Sequence, residues 1–106
     1  STVTTTTNYS ASPSSGTASS VSAVLADATG GALTVTVPDM AVNGQIFIVK
    51  KLDTTANAVT LAAPAGSFLE AGASIAGGAA GCRVLTYQAT AVGAFAAKTW
   101  RIIATF

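Results

Sequence analysis

Residues 44–64 read GQIFIVKKLDTTANAVTLAAP, and this stretch decides the class of fold. Ile46, Phe47, Ile48 and Val49 form a short, wholly apolar run of β-branched and aromatic side chains, the composition of a strand covered on both faces. Asp53, Thr54, Thr55, Ala56 and Asn57 bring turn chemistry, because Asp and Asn side chains bond their own backbone. Val59 and Leu61 then share one face with Thr60 between them, a period of two. The stretch predicts a β-hairpin.

Working outward, Val21, Ala23 and Leu25 alternate weakly before an Asp27-Ala28-Thr29-Gly30-Gly31 turn. Leu33, Val35 and Val37 alternate with Thr34 and Thr36 as a half-buried strand. Pro38 ends it, having no N–H for a ladder. Beyond Pro64, Phe68, Leu69 and Ile75 are isolated anchors among Ala and Gly, and residues 76–81 read as a loop. Residues 82–88 form a further strand. Trp100, Ile102, Ala104 and Phe106 alternate with Arg101, Ile103 and Thr105 as the closing one. No stretch has the capped 3.6-residue period of an amphipathic helix. The expectation is an all-β domain, a small antiparallel β-sandwich or barrel-like knob. Its expected core holds Val35, Ile46, Ile48, Val59, Leu61, Leu85, Trp100, Ile102 and Phe106.

Residues 1–26 carry no charged side chain. Residues 2–9 are rich in β-formers. Residues 10–20, with Pro13 and Gly16, have a linker composition. The predicted organisation is an extended N-terminal arm and linker over 1–20, then a β-knob over 21–106. Thr2, Val3, Thr4, Thr5 and Tyr9 are the candidate partner-docking residues, pairing with an exposed sheet edge of a partner. A frayed terminus is the alternative.

A chain of 106 residues is one domain by size. Half its residues are hydrophobic and only 8% are charged, against about 25% in ordinary soluble domains. Five basic and four acidic side chains must serve a surface of roughly 5,400 Å². Most of that surface is therefore Ala, Thr, Ser and Gly, with little charge to keep molecules apart. This points to a chain that covers its surface with copies of itself or with a partner; a neutral, alanine-rich domain is the plainer alternative. The net charge of +1, with scattered basic residues, leaves no footprint for nucleic acid. Gly, Pro, Ser and Thr interrupt every apolar stretch before a membrane span accumulates, and no signal sequence is visible. Cys82 stands alone, which excludes an internal disulfide and suggests synthesis in the cytoplasm.

Catalytic material is scarce. There is no His, the commonest general base and metal ligand. Asp27, Asp39, Asp53 and Glu70 are spread without paired spacing, and two of them lie in turns. Cys82 has no His to activate it. The glycines of 77–81 lack the Lys-Ser or Lys-Thr of a phosphate loop. The expectation is no enzyme, no metal and no cofactor. Tyr9 is the aromatic expected at a contact.

The wording DATGGALTVTVP (27–38), Gly44-Gln45, Val49-Lys50-Lys51, Asp53, ANAVTL (56–61) and TWRII (99–103) resembles a small β-module of tailed-bacteriophage structural proteins. Two departures stand out: residues 63–81 are richer in Ala and Gly, and Ala94-Phe95-Ala96-Ala97-Lys98 replaces the usual Ser-Asp-Gly before the tryptophan. The resemblance implies a virion protein made in the host cytoplasm, a capsid decoration (cement) protein that docks on and reinforces the head. The alternative it implies is a tail-fibre or receptor-binding module that grips a host glycan. Expected partners are the chain itself, as a homotrimer, and the major capsid protein or another virion protein. The length of 106 residues fits the decoration protein better.

Overall fold

Leu33 and Val35 are buried while Thr34 and Thr36 are half-exposed, the two-residue period expressed as a strand with one wet face. The computed structural model describes residues 1–11, 21–39 and 42–106, and regular structure among them is strand alone. The strands are β1 (Thr2–Thr5), β2 (Tyr9–Ser10), β3 (Ala23–Ala26), β4 (Leu33–Thr36), β5 (Ile46–Lys51), β6 (Val59–Ala62), β7 (Phe68–Leu69), β8 (Gly81–Gln88) and β9 (Thr99–Thr105). They make a six-stranded sheet in the order β1-β3-β5-β8-β9-β7 and a three-stranded sheet in the order β2-β4-β6.

The predicted antiparallel knob is not what forms. The smaller sheet is parallel throughout, and so are the pairs β1–β3, β3–β5 and β7–β9. Only β5–β8 and β8–β9 run antiparallel. The hairpin of residues 44–64 is likewise absent: β5 lies between β3 and β8, whereas β6 pairs with β4 in the other sheet. Parallel neighbours need a long crossover. Here each crossover is a strand of the opposite sheet, so the chain winds between sheets from β1 to β6 like a short solenoid. The extended arm is also corrected. Thr2–Thr5 pairs in register with Ala23–Ala26, and Tyr9 and Ser10 pair with Val35 and Thr36. Most of the expected linker, residues 12–20, lies outside the described residues.

The winding carries a repeat. ADATGGALTVTVP (26–38) and LDTTANAVTLAAP (52–64) align at the spacing that pairs Leu33 with Val59, and Asp27/Asp53, Thr29/Thr55, Ala32/Ala58, Thr34/Thr60 and Pro38/Pro64 are identical. Like residues stack: Val3, Val24 and Val49 lie in one row, and Tyr9, Val35 and Leu61 in another. Both Asp residues build the same turn. Asp27 Oδ1 accepts from the Thr29 amide (3.0 Å) and hydroxyl (2.6 Å), and Asp53 Oδ2 accepts from the Thr55 amide (3.1 Å) and hydroxyl.

One core draws on both sheets, with Val24, Val35, Phe47, Val49, Val59, Leu61, Leu85 and Trp100 buried in it. Trp100 is fully buried between Phe47 and Tyr87, ring centroids 5.9 and 5.2 Å away, and its Nε1 donates to the Pro38 carbonyl at 2.9 Å. Ile102 packs against this core half-buried. Ile46 and Phe106, expected inside, are 40% and 78% exposed. For β5 the cause is phase. Phe47 and Val49 take the inner face, so Ile46 and Ile48 point outward, with Ile48 half-buried. For Phe106 the cause is a bulge: β8 and β9 shift register at Val84/Leu85, where Leu85 faces Ile102 but Val84 faces Ala104. The extra residue, Ile103, reverses the alternation of every residue after it.

Candidate docking surface

Opposite the core, the register of the six-stranded sheet defines two cross-strand rows. One runs Thr2, Ala23, Ile48, Val84, Ala104; the other runs Thr4, Leu25, Lys50, Cys82. Phe106 extends the second row, exchanging backbone bonds of 3.0 Å with Cys82. Ile46 pairs with Thr86 on the same face, and Ile103 stands beside them, 55% exposed. The result is a broad β-surface of aliphatic and Thr side chains whose two rows contain one charge, Lys50.

At the rim, Arg101 gathers the surrounding segments. Its Nε donates to Gln88 Oε1 (2.8 Å), its Nη1 to Glu70 Oε2 (3.2 Å) and its Nη2 to the Ala96 carbonyl (3.3 Å). The Phe95 ring covers the guanidinium at 5.3 Å. Glu70 Oε1 in turn accepts from the Ile102 amide at 3.2 Å. The carboxylate thereby holds the end of β7 on β9, while Arg101 holds the residue 89–98 segment.

The other ionic pair is structural too. Lys51 is fully buried, and its ammonium donates to Asp53 Oδ2 (3.0 Å), the Asp53 carbonyl (2.8 Å) and the Thr55 carbonyl (3.2 Å). All three donors are satisfied, the condition for burying a lysine. Asp53 also accepts from the Ala28 amide at 2.7 Å, joining successive turns of the winding. The Thr55 hydroxyl above all, then the Ala28 amide and Lys51, holds its carboxyl well below the usual carboxylate range against the opposing effect of desolvation.

No group of three or more His, Cys, Asp and Glu side chains converges among the described residues. Two open hollows, one lined by Leu61 and residues 69–74 and the other by residues 6–8 and 30–32, bring no pair of carboxylates together. No described helix is long and apolar enough to cross a membrane.

Of the docking residues named from sequence, Thr2 and Thr4 are exposed on the edge strand β1, and Val3 and Thr5 are half-buried. Tyr9 packs half-buried against the core. Leu25, Val84 and Ile103 were not singled out, and Ile48 was expected in the core. Their signal is the run of apolar residues on both faces of β5, β8 and β9, which reads equally well as full burial.

Comparison of the chain with family models, with curated proteins and with solved structures finds no match. The likeness to phage structural proteins therefore rests on the motifs quoted above.

Proposed function

We propose that the chain is a structural virion protein, made in the host cytoplasm, that docks on the phage head as a decoration (cement) protein. The observation that carries this is the outward face of the six-stranded sheet, with Ala23, Leu25, Ile46, Ile48, Val84 and Ile103 around Lys50 and the Arg101–Glu70 pair confined to the rim. Contiguous apolar patches of more than a few hundred Å² mark interaction sites on soluble proteins. A face whose charges are Lys50 and, at the rim, the mutually paired Arg101 and Glu70 suits a flat, largely uncharged surface of the major capsid protein, where burial rather than charge supplies most of the binding. A glycan-gripping fibre module would stack sugars on exposed Trp or Tyr rings, and here Trp100 and Tyr87 are buried. Head decoration is thus the better-supported reading.

Gold-labelled antibody against the protein, applied to purified particles from cells that make it, should mark heads. Label on tails would assign it to a fibre, and unlabelled particles would refute the virion role. An Ile48→Lys/Val84→Lys variant should keep its circular dichroism spectrum yet lose occupancy on heads stripped of the native copy.

A further inference from the structure

Among the described residues, nothing pairs with the outer edge of the first turn of the winding. β1 closes one end of the larger sheet and β2 closes one end of the smaller. At the opposite end β6 is covered, since Val59 bridges Ile75 and the Leu61 amide donates to Ser74 Oγ at 3.1 Å. The Ser1 and Thr5 carbonyls accept from the amides of Ser22 and Asp27, each at 2.9 Å. Strand amides alternate in direction, so residues 1, 3 and 5 face β3 while Thr2 and Thr4 aim their N–H and C=O groups away from the sheet. Edge strands are ordinarily protected by charge, Pro or a bulge. Thr2–Thr5, sequence TVTT, has none of these.

From this edge we infer that a second copy of the chain pairs with the first, β1 against β1, antiparallel about a two-fold axis at Val3. The occupant follows from symmetry, because a two-fold interface requires a self-complementary patch, and Thr2-Val3-Thr4 reads the same in both directions. In that register Thr2 exchanges backbone bonds with the partner's Thr4, and Thr4 with the partner's Thr2. Thr thus meets Thr on the outer face, a favourable cross-strand pair. Val3, half-buried and packed on the core, meets the partner's Val3 on the inner face and extends the Val3-Val24-Val49 row across the junction. Residues 1–11 carry no charged side chain, so nothing on this strand repels its copy. The molecule measures 39 × 26 × 20 Å. An end-on pair across the smaller section covers at most about 500 Å² per copy, at the lower margin for specific interfaces. The dimer is therefore concentration-dependent. It joins two six-stranded sheets into one, and it departs from the trimer that the phage resemblance implies. It stands whether or not the protein belongs to a virion.

Sedimentation equilibrium of the full chain over a concentration series up to about 1 mM should show the mass rising from 10.3 kDa to twice that value. Thr4→Pro removes an outward N–H that β3 does not use, and proline is tolerated at such edge positions. It should abolish the doubling while leaving the circular dichroism spectrum and melting temperature in place. Should that variant fail to fold, Thr2→Lys/Thr4→Lys decides, since it changes only exposed side chains and sets like charges opposite each other. Val3→Cys in a Cys82→Ser background should oxidise to a covalent dimer, because facing Cα atoms of a non-bonded antiparallel pair lie about 4.5 Å apart, within disulfide reach. A mass of three chains, a monomer throughout the series, or a dimer indifferent to both edge variants would overturn the pairing.

Discussion

Trp100→Ala should remove the best-packed side chain in the molecule. The indole is fully buried, contacts two aromatic rings, and ties β9 to the Pro38 carbonyl, which is itself buried at the end of β4. Truncating a buried Trp to Ala costs about 3–5 kcal/mol. The upper half of that range applies here, because a buried acceptor also loses its only indole donor. An unfolding entropy of about 2.1 cal/mol/K per residue converts each kcal/mol into roughly 4–5 °C for a chain of this length, so the melting temperature should fall by about 18–22 °C. Trp100→Phe separates the contributions. It keeps an aromatic ring against Phe47 and Tyr87 but orphans the Pro38 carbonyl, and should cost about 1–3 kcal/mol. Thermal unfolding followed by far-ultraviolet circular dichroism measures both variants. Tryptophan fluorescence of the unmodified protein supplies an independent transition, since the chain has one Trp. A melting temperature within about 2 °C of the parent for Trp100→Ala would refute the reasoning, and with it the assignment of β9 as the strand that closes the core.

Three further outcomes follow from the packing. Lys51→Met fills similar space but leaves Asp53 without its cation, and should destabilise by about 3–5 kcal/mol in urea unfolding. Gly77→Ala would put a Cβ 1.9 Å from the Ala56 carbonyl oxygen, and should cost upwards of about 2 kcal/mol. Gly30→Ala meets nothing within 4 Å and should be neutral or slightly stabilising in the same assay. Because the carboxyl pKa of Asp53 is depressed on folding, its contribution is fully present above the unfolded value near pH 4 and is lost as pH falls below it. Urea midpoints should therefore hold steady from about pH 7 to 5 and decline on further acidification, and Asp53→Asn should flatten that decline.

The strands at Leu33–Thr36, Val59–Ala62 and Thr99–Thr105 were legible because each carries a two-residue period and a turn signal beside it. So was the repeat of Asp-x-Thr turns and Ala-x-Thr-x-x-x-Pro strands, one winding apart. That repeat is the trace of parallel stacking, which brings like residues into the same environment in successive turns. Passing over it led to the hairpin reading. Two strands with a polar link between them look alike whether they pair with each other or with predecessors in two different sheets. The docking face was hidden for another reason: in IFIVKK and TWRII, apolar residues occupy both phases, and such a run gives no sign of which face meets the core.

What the sequence by itself determined is local. Dihedral preference, alternation and turn chemistry act over a few residues, so they name the strands and the Asp turns. Which strand lies beside which was decided only by the tertiary structure. Pairing depends on contacts between residues far apart in the chain: Trp100 bonds to Pro38, Ala28 to Asp53, and Thr2–Thr5 pairs with Ala23–Ala26, 21 residues further on. The bulge at Ile103 is the sharpest case. Its residues alternate in sequence as an unbroken strand would, yet one unpaired residue turns Phe106 from the core to the surface, because facing in a sheet is counted along the ladder and not along the chain.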